Sequence, residues 1–224
     1  MACIYAMSDI HGEIDAFLKA LEAVDLAQPE ARLLLLGDFI DHQFQKPEIY
    51  YLVMDLQRRY PGQVICLLGN VDEFYAQALR IQGATAQDEG ARRIFQWISA
   101  LPRFYETERQ IFVHAGIDEE AGDLWRYGTE ESIFTGKFPP TQGAFEKDII
   151  AGHVGTASEY LANDPTFHQV FWDGESHYFL DGSSELSHVV PVLKFDEERG
   201  AYSTFSWSEA EGRFFEQLVE PFRT

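Results

Sequence analysis

The sequence predicts an α/β fold in which two packed β-sheets are flanked by helices. Three observations carry that expectation. The first half alternates continuous apolar strands with helical periodicity; the second half breaks into short strands punctuated by glycine and acidic turns; and several strands end in a polar residue close to glycine. At 224 residues a single fold can bury a large core. No linker, repeat or low-complexity segment divides the chain, so residues 1–224 read as one domain.

The elements follow in order. "CIYAMS" is a buried strand, and in "DIHGEIDAFLKALEAVDL" Ile14, Phe17, Leu18, Leu21 and Val24 keep helical spacing. "RLLLLG" leads through a polar loop to "PEIYYLVMDLQRRY", whose proline suits a first helical turn. "QVICLLG" runs into "NVDEFYAQALRI", and a further helix covers "EGARRIFQWISAL". Apolar strands alternating with helices imply a central, largely parallel sheet covered on both faces. "RFYETERQIFVHAG" then has the form of a hairpin. "DIIAGHVG", "HQVFWDG", "SHYFLDGSS", "HVVPVLKFD" and "AYSTFSW" are short strands with no helix expected among them. A second, mainly antiparallel sheet packed on the first is the economical reading. Residues Asp123 to Phe145, rich in glycine, proline, threonine and aromatics, predict an ordered loop lying over a surface, and loops of that length usually have a function.

Charge narrows the function. Thirty-seven acids against 17 bases give a formal net charge of -20, a field that repels nucleic acid and anionic membranes and discourages polyanionic substrates unless a local cation offsets it. Cys3 and Cys66 sit in apolar strands rather than in a CxxC pair, which reads as reduced core thiols and favours a cytoplasmic setting. The N-terminal stretch has no basic segment followed by a long apolar run, so the chain is expected to be neither exported nor membrane-spanning.

The chemistry lies at the strand ends. "SDIHG" supplies Asp9 and His11, "GDFID" Asp38 and Asp41, "GN" Asn70, "FVHAG" His114 and "GHVG" His153. Each alone is an ordinary turn former, cap or loop histidine. Together, Asp9, His11, Asp38, Asn70, His114 and His153 offer six oxygen or nitrogen ligands, a set suited to two adjacent divalent ions of intermediate hardness. The carboxyl ends of strands in an open α/β sheet are also where ligands bind.

These five motifs, in this order from Asp9 to His153, resemble the calcineurin-like metallophosphoesterases, and more narrowly the phosphoprotein-phosphatase branch that includes bacterial and phage serine/threonine phosphatases and diadenosine tetraphosphatases. "FLDGSSELSHVVPVLKFD" resembles that branch's closing strands. The resemblance covers most of the chain. It implies the four-layer α/β/β/α fold of two packed mixed β-sheets, with Asp9 and His11 on a first metal, Asp38 bridging both, and Asn70, His114 and His153 on a second. It further implies a phosphatase that uses a hydroxide held between two divalent ions, manganese foremost and iron, zinc or nickel as alternatives. The substrate would be a phosphorylated small molecule or a phosphoprotein.

Two departures stand in one corner. The branch's third motif continues Gly-Asn-His, where the histidine protonates the leaving oxygen and is oriented by an aspartate that matches Asp41; here that position is Val71. Its second motif continues Asp-Arg-Gly, with the arginine gripping phosphate; here Asp41 is followed by His42 and Gln43. Either His42 takes over part of the acid and phosphate-binding roles or the machinery around the metals has decayed, leaving a metal-retaining module that binds phosphorylated ligands. Arg126 in "DLWRYG" resembles the family's second phosphate-holding arginine. Loss of general acid catalysis, typically worth ~10²–10⁴ in rate, predicts better turnover of aryl phosphates and phosphoanhydrides than of alkyl phosphates.

Overall fold

The computed structural model describes residues 3–222. Strands β1 (Cys3–Met7), β2 (Arg32–Leu35) and β3 (Val64–Cys66) pair in parallel, with Tyr5 opposite Leu33 and Leu34 opposite Ile65. Helices α1 (Ile14–Leu21), α2 (Glu48–Arg59) and α3 (Asn70–Ile81) follow each strand in turn. Two more helices, α4 (Ala84–Gln87) and α5 (Glu89–Ser99), precede the hairpin β4 (Phe104–Glu106) and β5 (Gln110–Val113). After it come a 3₁₀ turn at Glu119–Leu124, short helices α6 (Trp125–Gly128) and α7 (Glu131–Gly136), then β6 (Asp148–Ala151), β7 (Phe171–Trp172), β8 (His177–Phe179), α8 (Ser184–Ser187), β9 (Leu193–Asp196), β10 (Ala201–Ser208) and β11 (Arg213–Leu218).

The first sheet runs β11-β10-β9-β1-β2-β3 and the second β4-β5-β6-β8-β7. Two details differ from the expectation. "HVVPVLKFD" and "AYSTFSW" belong to the first sheet: β9 lies antiparallel beside β1, with Ile4 opposite Phe195, so that sheet is mixed. The second sheet is mixed as well, because β5, β6 and β8 pair in parallel between antiparallel edges β4 and β7. Strand periodicity marks a strand without naming its partner, and β9 finds β1 only through the whole topology.

Alternation along each strand builds the layers. Ile4, Ala6, Leu34, Leu36 and Leu67 face Phe112, Ile150, Tyr178 and Leu180 of the second sheet. Tyr5, Met7, Leu33, Leu35 and Cys66 face the helices, against Phe17, Ile49 and Val53. The outer face of the second sheet packs Ile111, Val113 and Ile149 against Trp125 and Phe134. The segment from Asp123 to Phe145 is thus partly helical, and α6 and α7 form the fourth layer. Each such buried side chain contributes roughly 1.5–3 kcal/mol. No helix among the described residues is long and apolar enough to cross a membrane.

Candidate metal centre

The carboxyl ends of β1, β2 and β3 come together with those of β5 and β6 at one edge of the two sheets. Asp9, His11, Asp38, His114 and His153 follow directly on four of these strands. Ligand atoms of Asp9, His11 and Asp38 lie within 4.8 Å of one another, and so do those of Asp38, His114 and His153. Asp38 therefore belongs to both groups. Asn70, the first residue of α3, directs its Oδ1 to within 2.9 Å of His114 Nε2. All six expected ligand residues converge at this edge.

The backbone is bent to make this happen. Asp9, His11, Asp38 and His153 all take positive φ, between 45° and 65°. That conformation costs a non-glycine residue of order 1 kcal/mol or more and is tolerated where a site demands it. Close approach does the rest: a Cβ at Gly69 would overlap the Asp38 carboxylate, and one at Gly152 would overlap Asp9 and Ser8.

Hydrogen bonds fix which atoms face inward. His11 Nδ1 donates to the Ile40 carbonyl at 3.1 Å and His114 Nδ1 to the Leu36 carbonyl at 3.0 Å. Both rings therefore turn Nε2 to the carboxylates, 3.7 Å from Asp9 for His11 and 3.4 Å from Asp38 for His114. A ring held at Nδ1 with Nε2 left for a metal is the arrangement that orients ligand histidines. The His153 backbone N–H in turn donates to Asp9 at 3.0 Å.

Electrostatics point the same way. Asp9 and Asp38 are almost wholly buried, and no lysine or arginine pairs with them among the described residues. Burial opposes the charge on His11, yet its bond to Asp9 and the charges of Asp9 and Asp38 hold it up to about 10. Burial likewise opposes His114, which the Asp38 charge lifts to about 9. Burial raises Asp9, but His11 and His114 keep it well below the ordinary carboxylate range. His153 goes the other way, lowered by burial and by His114. Two buried carboxylates whose charge is met only by imidazoles form a pocket that fits divalent cations, and the mixed oxygen and nitrogen donors suit manganese, iron, zinc or nickel.

The catalytic corner is arranged differently from the expectation. Val71 is buried in the helix-side core; its backbone N–H donates to Asp38 at 2.9 Å. The Asp41 carboxylate caps its own loop by accepting the backbone N–H groups of Gln45 and Lys46. Arg126 does not join the cluster; its guanidinium pairs with Glu106 at the far end of the β4–β5 hairpin, where Lys147 also binds. His42 does reach the centre: its ring stacks on His11 with centroids 4.4 Å apart, and Nδ1 meets Glu185 at 2.5 Å. Sequence reading passed over Glu185 because an acid in a Gly-Ser turn carries no spacing signal. Asp72, three residues after Gly69, was likewise given no role, although a carboxylate there can accept the N-cap N–H, as it does from Gly69 at 3.3 Å.

A family model for calcineurin-like phosphoesterases matches residues 4–196. Solved structures agree in fold. A cold-active protein-tyrosine phosphatase of a psychrophilic Shewanella species is similar at 17% identity and a TM-score of 0.64, over 96% of this chain and 80% of that one. A Saccharomyces cerevisiae protein serine/threonine phosphatase with similarity to human phosphatase PP5 gives 13% identity and a TM-score of 0.63, over 100% of this chain and 81% of that one. A putative diadenosine tetraphosphatase gives 16% and 0.57, over 97% and 93%. With the family model spanning most of its length and a metal-ligand cluster at the expected strand ends, this chain belongs to the calcineurin-like phosphoesterases, hydrolases of phosphoric esters.

Proposed function

We propose that the chain hydrolyses phosphomonoesters or phosphoanhydrides with two divalent cations, manganese foremost, in the centre formed by Asp9, His11, Asp38, Asn70, His114 and His153. The observation that carries this reading is the double membership of Asp38, which lies within ligand reach of both groups and so can bridge. When bound, the two cations would supply a hydroxide nucleophile near neutral pH and neutralise the phosphate oxygens. The protein's own part is preorganisation. Leu36 and Ile40 orient His114 and His11 through their carbonyls, Gly69 and Gly152 admit the close backbone approach, and Asn70 adds an oxygen donor without adding charge. The local cations also offset the -20 field that would otherwise repel a phosphorylated small molecule or phosphoprotein.

Val71 is buried, Asp41 and Arg126 are engaged elsewhere, and His42, which alone of the residues expected in acid catalysis and phosphate binding stands at the centre, has its Nδ1 taken by Glu185, which leaves no free general acid. Substrates with good leaving groups are therefore favoured. The test is a substrate panel with manganese, spanning aryl phosphate, phosphoserine peptide, phosphodiester and dinucleoside polyphosphate, on the wild type and Asp38→Asn. The expected result is turnover of aryl phosphate or phosphoanhydride about 10²–10⁴ above that of phosphoserine, abolished by Asp38→Asn. Equal background in both proteins would favour a metal-holding module that binds phosphorylated ligands without turning them over.

A further inference from the structure

We infer that Glu185 and His42 are additional ligands of the first cation, closing a site that Asp9, His11 and Asp38 leave open. This rests on the reading of those three residues as that cation's pocket.

Geometry carries it. Ligand atoms of His11, His42 and Glu185 lie within 4.8 Å of one another, and His11 is also a member of the Asp9–His11–Asp38 group. With Nδ1 given to Ile40, His11 has one nitrogen left to ligate, Nε2, so it can serve both groups only by holding one ion common to them. His42 lies against the His11 ring, 24° from parallel, with its Nδ1 meeting the Glu185 carboxylate.

The turn that presents Glu185 is built into the centre rather than left to drift. Ser184, fully buried, donates its hydroxyl to the backbone carbonyls of Asp9 at 2.7 Å and Ile10 at 3.0 Å. The helical turn α8 is bracketed by Ser183 and His188, both in left-handed backbone conformation. Asp181, at the base of the turn, accepts the Ser183 N–H at 2.7 Å. Strain at both ends and a buried tether to the Asp9 loop serve to hold the one side chain between them that reaches the mouth.

A purely stabilising ion pair is a poor account of His42 and Glu185. The His42 side chain is 56% exposed and that of Glu185 28%, and pairs in such positions are worth about 0–1 kcal/mol. A carboxylate at the entrance of a phosphate site repels its substrate unless a cation takes up the charge.

The test is metal affinity and stoichiometry, read without substrate by competition of manganese or cobalt against a chromophoric chelator. Wild type, Glu185→Gln and His42→Ala are compared, with the unfolding midpoint of each metal-free protein as the fold control. Two ions per chain are expected in all three, one of them bound roughly 10- to 100-fold more weakly in each variant, with a changed visible spectrum for cobalt at that site. Unaltered affinity and spectrum in Glu185→Gln overturn the inference while leaving the two-ion centre standing. A third ion in the wild type that Glu185→Gln loses also overturns it, because the pair would then form a separate site. A wild type that holds no metal overturns both this inference and the proposed function.

Discussion

The Asp72 carboxylate accepts the backbone N–H of Asp38 at 2.8 Å, so the first turn of α3, which presents Asn70, also fixes the loop that presents Asp38. Oxygens of the same buried side chain take the Phe39 N–H, the Gly69 N–H and the Tyr50 hydroxyl. One carboxylate thereby ties two strand ends, those after β2 and β3, to helix α2 and to the first turn of α3.

Replacing Asp72 with alanine leaves these donors without an acceptor in a fully buried position. Stability is expected to fall by roughly 3–5 kcal/mol, the cost of stranding buried polar groups and opening a void. Asp72→Asn keeps the volume and one acceptor oxygen and should lose about half as much. Denaturant unfolding measures both. Because the donors belong to the metal loops, metal affinity should drop in Asp72→Asn even where the fold survives, which chelator competition reads.

Metal loading should release protons. In the metal-free protein His11 is held up to about 10 and His114 to about 9, so both imidazoles are charged at neutral pH and must give up a proton before ligating a cation. Affinity is therefore expected to climb as pH rises from neutrality towards 9. Calorimetry in buffers of different ionisation enthalpy should report net proton release on loading, from these imidazoles and from Asp72 and Asp181, whose carboxyls burial and the neighbouring Asp38 and Asp9 charges raise to about 7 and about 8. The sign for the metal-free fold is the opposite: these raised values contribute stability that is complete below the unfolded value near 6.5 and lost as pH climbs through about 9 and 10. Metal at 100 times its dissociation constant adds about 2.7 kcal/mol, so the thermal gain on adding metal should be larger at high pH than at neutral pH.

The strand ends were legible in the sequence because a chemical requirement is written locally: Asp9 and His11 in "SDIHG", Asp38 in "GDFID" and Asn70 after Gly69 each follow an apolar run and stand close to a glycine. Sheet partnership was not legible in the same way. Nothing in "VLKFD" says that it lies beside β1 rather than in the second sheet, because pairing is decided by packing across the whole chain. Glu185 was hidden for a related reason: its relation to His42 spans 143 positions and depends on the Ser184 tether. Val71 was legible as an absence but not as a placement, since a valine one residue past Asn70 is as consistent with the mouth of a site as with the core.

Gly152→Ala should separate assembly of the centre from stability of the fold. The added Cβ would meet the Asp9 carboxylate and the Ser8 side chain, so Asp9 must move, and with it the acceptor of the His153 N–H. A displacement of this kind is expected to weaken metal binding by at least an order of magnitude, comparable with losing a supporting contact. The surrounding strands keep their ladders, and the midpoint of thermal unfolding of the metal-free protein should fall only a few degrees. Loss of metal affinity in proportion to loss of fold would contradict the assignment of Gly152 to close approach.

The segment that crosses the outer face of the second sheet is clasped at His177. His177 in β8 is buried, with Nδ1 donating to the Gly143 carbonyl at 2.9 Å and lying 3.3 Å from Asp173, while Nε2 is 3.5 Å from Glu119. Lys137 completes the clasp by binding Glu119 and the Ile117 carbonyl. Burial opposes the imidazolium, but Asp173 and Glu119 hold it up to about 9. Because the folded value is raised, the clasp contributes fully below about 6.5 and fades as pH rises through about 9. Residues 117–143 should become more readily cut by a protease above that pH while the core strands stay protected. His177→Gln, which retains size but not charge, should expose the same segment already at neutral pH and cost roughly 1–3 kcal/mol. Proteolysis that is equally slow on both sides of pH 9 and in the variant would show that the segment is held by Trp125 and Phe134 packing alone.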